Sequence, residues 1–212
     1  MFILYAVAAG IAIGLAIGGS LSRLGKIEFR WGGVILAGLA VQIALLSPAM
    51  AERVGGLAPV IYVGSTAVVL LAVAANRRIT GIPVIVAGAA ANLAAIVANG
   101  GYMPADPGAF ASTGSRIGTS YTNSSLVANP ALAPLTDIFA LPAWLPGTNV
   151  FSVGDVLIGA GVAWAIVAAM RLDPGASRST SPGMRVRRRS SLPSVGAPRA
   201  GSTQPGPPGH SA

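Results

Sequence analysis

Five long apolar stretches divide this chain and constrain its fold more than any other feature. They cover about residues 2–19, 31–48, 59–75, 79–98 and 152–170. Each has close to the roughly 20 residues that an α-helix needs to cross about 30 Å of hydrocarbon. The first stretch lacks the basic leading region of a signal peptide, so we expect it to be retained. The pattern predicts an all-α fold, a polytopic membrane helix bundle with about five transmembrane helices.

The composition supports a lipid environment for residues 1–171 and excludes several kinds of site. The chain is 53% hydrophobic and 9% charged, whereas about a quarter of a soluble domain is charged. It has no cysteine, which excludes disulfides and thiolate metal sites. Its one histidine, His210, stands close to the carboxyl terminus, which argues against histidine-ligated metals and Ser-His-Asp catalysis. We therefore predict no metal site, no cofactor and no catalytic residue.

The distribution of lysine and arginine predicts the orientation in the membrane. With five spans, the connections at 20–30 and 76–78 and the segment from Arg171 onward share one face. They carry all but two of the 14 basic residues, and the opposite face holds only Arg53 and Arg116. Cytoplasmic segments of membrane proteins are enriched in lysine and arginine. We therefore expect a multi-pass protein of the cell membrane with its amino terminus outside and its carboxyl terminus in the cytoplasm.

Two segments fall outside the apolar stretches. Residues 100–151 are rich in Gly, Ser, Thr, Asn and Pro and are predicted to form one long external loop. Within it, the apolar run 132–144 is expected to form a short helix at the outer membrane surface. Residues 172–212 contain few large apolar side chains and are predicted to be a disordered cytoplasmic tail. The arginines at 185–189 are either simply solvated or attracted to anionic lipid headgroups, and we expect no binding of nucleic acid.

Small residues recur every fourth position in two of the stretches. Gly10, Gly14 and Gly18 form such a stripe in the first, and Ala87, Ala91 and Ala95 form another in the fourth. Small residues at this spacing let two helix backbones approach closely. The stripes predict close helix packing, either within the bundle or against a second membrane protein or copy of the chain.

Polar residues near the outer ends of the spans form the candidate functional cluster. Polar side chains inside a membrane are costly and therefore informative. Asn92 and Asn99 are seven residues apart and lie on one helical face, and the external segment brings Asp106 and Asp137 to the same level. Two structural alternatives stay open, a capping box formed by Ser152 and Asp155 and an interhelical hydrogen bond from Asn92. The candidate residues are Asn92, Asn99, Tyr102, Asp137, Ser152 and Asp155.

Two short motifs carry a resemblance to a known family. Asn99-Gly-Gly-Tyr-Met-Pro104 follows a helix with a polar Asn92, and Asn149-Val-Phe-Ser-Val-Gly-Asp-Val-Leu-Ile158 follows a segment with Asp137. With these motifs, about residues 1–170 resemble a family of bacterial membrane proteins known as domain of unknown function 5317. The resemblance implies a multi-spanning bundle and no assigned activity. It directs attention to Asn99, Gly101, Pro104, Asp137, Ser152, Gly154 and Asp155.

Three functions are compatible with these features. The favoured one is a structural or accessory membrane component that packs with itself or with a partner, because small-residue stripes are abundant and charge within the spans is scarce. A small transporter or channel using the outward polar cluster is the first alternative. A membrane enzyme acting on a lipid, with Asp137 and Asp155 as acids or metal ligands, is the second, although nothing in the sequence is a recognisable catalytic apparatus.

Overall fold

Helices form most of the residues that the computed structural model describes, which are 2–114 and 124–171. Two of the 3-10 segments in these ranges, Leu21–Lys26 and Gly55–Leu57, connect longer elements. All the described residues belong to the unit Met1–Pro174, and the tail predicted over 172–212 lies outside them. The α-helices are α1 (Phe2–Ala16), α2 (Gly32–Leu45), α3 (Pro48–Val54), α4 (Ala58–Ala74), α5 (Ile82–Ala98), α6 (Pro107–Ser112) and α7 (Val153–Arg171).

Each predicted apolar stretch contains one long helix: α1, α2, α4, α5 or α7. Within residues 2–114 and 124–171, two helical segments are long and apolar enough to cross a membrane. One is α7, with 19 residues, and the other is the 27-residue run Pro48–Ala74, in which α3 and α4 follow each other almost without a break. Helices α1, α2 and α5 are equally apolar but have 14 to 17 residues. The fold is therefore mostly helical, with two segments of clear spanning length.

The five long helices pack side by side in the order α1, α7, α5, α4, α2. Helices α1 and α7 run parallel, since Gly10 lies against Ala163 and Gly14 against Met170. Every other neighbouring pair is antiparallel. Helices α1 and α2, at the two ends of this order, share no packed interface among the residues described.

Glycines set the closest helix contacts. A Cβ added at Gly10 would lie 2.9 Å from the Cα of Ala163, so α1 and α7 touch through backbone. Gly88 and Gly154 bring α5 and α7 equally close. The predicted stripe of Gly10 and Gly14 thus packs inside the chain, whereas Gly18 has open space around it and ends α1 with a φ of +81°. The predicted alanine stripe of α5 is not one packed face, since Ala95 is buried but Ala87 is exposed.

The segment between α5 and α7 forms a cap, defined here as residues 99–114 and 124–152, over one end of the bundle. Strand β1 (Met103–Ala105) pairs in parallel with β2 (Ser124–Leu126), and β3 (Phe139–Ala140) pairs antiparallel with β4 (Val150–Phe151). The short helix predicted over residues 132–144 is wrong. That run holds one 3-10 turn, Ala133–Leu135, followed by β3. Its prolines remove backbone donors that a helix would need.

The cap packs onto the helix ends through a small apolar core. Met103 of β1 is buried against Ala95 and Ile96 at the end of α5. Gly101, with a φ of +92°, lies against Pro59 at the start of α4. The Tyr5 hydroxyl of α1 donates a 2.7 Å hydrogen bond to the carbonyl of Pro146. The cap therefore touches α1, α4 and α5 at the same end of the bundle.

The opposite end carries most of the basic residues of the described chain. The amide of Asn76 joins α4 to the start of α2, since its Oδ1 accepts a 2.7 Å hydrogen bond from the backbone N–H of Arg30. The guanidinium of Arg23 donates to the carbonyl of Met170 at 3.0 Å. We call this the basic end, and it holds Arg23, Lys26, Arg30, Arg77, Arg78 and Arg171.

Large apolar side chains cover the outside of the bundle. They stand on every side of the helix array and are exposed rather than packed in a core. The most exposed examples on the helices include Leu4, Leu36, Ile43, Val60, Leu71 and Trp164.

Candidate functional site

The amino terminus of α7 is closed by a reciprocal capping box. The Ser152 hydroxyl accepts a 3.0 Å hydrogen bond from the backbone N–H of Asp155. In return, Asp155 Oδ2 accepts a 3.2 Å hydrogen bond from the backbone N–H of Ser152. This arrangement satisfies two donors that a helix start leaves free. The Ser-x-x-Asp spacing thus has the local structural role that the sequence predicted as one alternative.

Asn92 of α5 connects to both members of this box. Its Nδ2 donates a 2.8 Å hydrogen bond to Asp155 Oδ1, and its Oδ1 accepts a 2.8 Å hydrogen bond from the Ser152 hydroxyl. The approach is possible because Gly154 has no side chain, since a Cβ there would collide with the Asn92 amide. The interhelical hydrogen bond and the cap are therefore parts of one network, which fixes the position of the Asp155 carboxylate.

Asp137 reaches the same region from the cap. Its backbone is anchored on both sides, since its N–H donates to the carbonyl of Pro104 and its carbonyl accepts from the N–H of Asp106. Only 8% of the residue is exposed, and its Oδ1 has no hydrogen-bond partner within the described ranges. Burial, with the Asp155 carboxylate as a second cause, raises the pKa of Asp137 from 3.8 to about 7.

The two carboxyl groups line a cavity of about 790 Å³, a size typical of small-molecule sites. Most of its wall is apolar and comes from α2, α4 and α5. The Gln42 side chain of α2 and the Thr66 hydroxyl of α4, joined at 3.3 Å, add a polar pair. The wall at the cap carries further polar groups and no lysine, arginine or histidine in the described part of the chain. These polar lining residues are Asn92, Ser124, Ser125, Asp137, Asn149 and Asp155.

The cavity lies on the inner face of the helix array. Ile3 of α1 and Ile35 and Leu39 of α2 stand on its two sides. Among the described residues, α1 and α2 share no extensive contact. Residues of the cap, such as Met103 and Asp137, line the same cavity at one end of the bundle.

The predicted site residues separate into two groups. Asn92, Asp137 and Asp155 line the cavity, and the fully buried Ser152 supports them. Asn99 does not line it. Its side chain donates to the carbonyl of Ala131 at 2.9 Å and accepts from the N–H of the same residue at 2.9 Å, so it tethers the cap to the end of α5. Tyr102 is half-buried and also stands outside the cavity wall.

Sequence reasoning did not select Asn149 and Ser125, which line the cavity from the cap. Asn149 stands three residues before Ser152, inside a motif already noted, so its position was available as a signal. Ser125 lies in β2, whose three residues give no pattern that distinguishes a strand from a loop.

A comparison with family models identifies the family of the chain. Residues 26–167 match the model of a family of unknown function, DUF5317. This range is more than half of the chain. The chain belongs to this family. All six polar residues of the cavity wall at the cap fall within the range matched by DUF5317, whereas α1 precedes it. No curated protein and no solved structure matches the chain significantly.

Proposed function

We propose that this DUF5317 protein is an integral membrane protein that binds a small amphiphilic molecule in the cavity beneath its cap. The observation that supports this function most is the division of the cavity wall. Along the helices the wall is mostly apolar, with the Gln42–Thr66 pair as an exception, and two carboxyl groups and two amides line it at the cap among apolar residues. Such a wall matches a molecule with an apolar tail and a polar head.

The membrane setting that we propose has five crossing helices, with the amino terminus and cap outside and the carboxyl terminus in the cytoplasm. Exposed leucine, isoleucine and valine on the helices support contact with lipid rather than water. The basic end supports the orientation through the excess of arginine on cytoplasmic faces. Apolar residues beyond the helix ends, such as Ile17 and Leu46, extend the apolar stretches past the shorter helices.

The accessory function expected from the sequence loses its main support in this arrangement. Gly10 and Gly14 contact α7 within the chain, so they offer no free face to a partner. Asp137 is a buried acid that lines the cavity, and burying an acid is costly to folding, so a binding role for it explains more than an accessory role does. A transporter or an enzyme that used the same cavity would begin with this binding step, so binding is common to both alternatives.

Photolabelling tests the proposal directly. The protein would be placed in phosphatidylcholine nanodiscs with a long-chain alcohol that carries a diazirine in its tail, and labelled peptides would be mapped by mass spectrometry. We expect labels on cavity-lining residues such as Leu39 and Val69. Ala89→Phe, which fills the cavity, should remove these labels. Ala87→Phe is the matched control, because Ala87 is exposed on the same helix outside the cavity.

Labels confined to outward residues such as Leu36 and Leu71, and unchanged by Ala89→Phe, would refute the binding function. The orientation has its own test, because the chain has no cysteine. A membrane-impermeant maleimide should label Ser112→Cys in intact cells and Ser22→Cys only after permeabilisation. The reverse pattern would overturn the proposed sidedness.

A further inference from the structure

Two carboxyl groups without a basic neighbour stand at the polar end of the cavity. Asp137 and Asp155 come from the cap and from α7, and both line the wall. The other described lining residues include no lysine, arginine or histidine. An anionic headgroup at this position would therefore be repelled by carboxylates and would meet no cation.

The carboxyl oxygens at this end of the cavity can accept further hydrogen bonds. One amide hydrogen of Asn92 already has an acceptor, since its Nδ2 donates to Asp155 Oδ1. Each oxygen of Asp155 receives one N–H and can accept another hydrogen bond. Asp137 is more than nine-tenths buried, and its Oδ1 receives no hydrogen bond from the described residues. A headgroup that satisfies these oxygens must supply hydrogen-bond donors.

A metal ion fits the carboxyl pair poorly. The described residues contain no group of three or more His, Cys, Asp or Glu side chains that could hold one. Hard divalent cations take six or more oxygen ligands. An organic cation needs fewer ligands and can place an attached chain along the apolar wall formed by α2, α4 and α5.

We infer that the cavity selects an amphiphile whose headgroup is a primary ammonium, bound between Asp137 and Asp155. The inference rests on the proposed function, because it names the headgroup of the same ligand. A primary ammonium has three donors and one positive charge, so it can bond to both carboxyl groups. A hydroxyl has one donor and no charge, and a carboxylate has the wrong sign.

Competition against the photoreactive alcohol tests the headgroup. Dodecylammonium, dodecanol and dodecanoate would be compared at equal mole fractions in phosphatidylcholine nanodiscs. Since a hydrogen bond between charged groups is worth more than a neutral one, we expect dodecylammonium to compete at least about tenfold better than dodecanol. Dodecanoate should be the weakest of the three.

Asp137→Asn and Asp106→Asn form a matched pair of variants. At pH 8, above the raised pKa of Asp137, both remove one negative charge from the cap. Asp106 caps α6 by accepting a 2.7 Å hydrogen bond from Ala109 and does not line the cavity. We expect Asp137→Asn to reduce the preference for dodecylammonium over dodecanol by about tenfold, and Asp106→Asn to leave it unchanged.

The outcomes separate the inference from the function on which it rests. Equal competition by all three compounds would overturn the ammonium headgroup and leave the amphiphile-binding function standing. Competition by methylammonium as strong as that of dodecylammonium would overturn the requirement for an apolar tail. Absence of cavity labels in the unmodified protein would refute the proposed function itself. The ranking of competitors uses the unmodified chain, so it decides the inference even if a variant fails to fold.

Discussion

Replacing Asp137 by asparagine should remove a pH dependence from the stability of the protein. Burial and the Asp155 carboxylate raise the pKa of Asp137 from 3.8 to about 7. The folded state therefore holds this proton more tightly than the unfolded state between these two values. The free energy of unfolding consequently falls as the pH rises from about 4 to about 7 and stays low above that range.

The magnitude follows from the shift. One pKa unit corresponds to about 1.4 kcal/mol, so the full loss in the unmodified protein is about 4 kcal/mol. About 3 kcal/mol of this loss in the free energy of unfolding occurs between pH 5 and pH 8. In a chain of this size 1 kcal/mol shifts the melting temperature by about 2 to 4 °C. We expect the Tm of the unmodified protein to fall by about 6 to 12 °C over this interval relative to Asp137→Asn.

Thermal unfolding followed by tryptophan fluorescence measures the effect, since the chain has three tryptophans. The protein would be held in neutral nanodiscs at pH 5, 6, 7 and 8. The new amide adds buried donors whose cost of about 1 to 3 kcal/mol lowers the Tm equally at every pH. The change with pH, and not the absolute Tm, is therefore the informative quantity. Parallel curves for the unmodified protein and Asp137→Asn, with Asp106→Asn as the control, would refute the reasoning.

Three further substitutions test the network and the cap. Asn92→Ala leaves the Ser152 hydroxyl and the Asp155 carboxylate without their interhelical partner, so unfolding experiments should show a loss of about 1 to 3 kcal/mol; no change would contradict the network. Gly154→Ala places a Cβ against the Asn92 amide and should lower the Tm, whereas Gly64→Ala, with open space around it, should not. Asn99→Ala removes the tether to Ala131 and should speed amide hydrogen exchange in the cap without altering ligand competition. Unchanged exchange would show that Asn99 does not hold the cap.

The helices could be predicted from the sequence because lipid-length apolar stretches are a strong and local signal. Their ends could not, since Gly18 and the cap contacts set them. The strands of the cap could not be predicted from the sequence. They have two or three residues each, too few for an alternating pattern. The many apolar residues of 132–144 favour a surface helix, although its two prolines oppose one.

The candidate site could be predicted only in part, because most of its contacts join residues that are far apart in the sequence. Ser152 and Asp155 are three residues apart, so their spacing alone indicates a capping box. Asn92 is 60 residues from Ser152, and only its polarity within an apolar stretch marked it. The burial of Asp137 depends on how the cap folds over the helices. Asn99 had the same sequence signal as Asn92 and a different role, because its partner is a backbone group at Ala131.

The two carboxylates differ in how clearly a substitution can be interpreted. In Asp155→Asn one oxygen becomes an NH₂ group, which would face either the Ser152 N–H or the Asn92 NH₂ as a second donor. One hydrogen bond is therefore lost, and stability should fall by about 1 to 3 kcal/mol whether or not a ligand binds. Loss of binding in that variant would not distinguish a ligand contact from a weakened helix start. Asp137 Oδ1 accepts no hydrogen bond from the described residues, so replacing that oxygen breaks no contact of the helix start, and its cost in stability comes from the new buried donors.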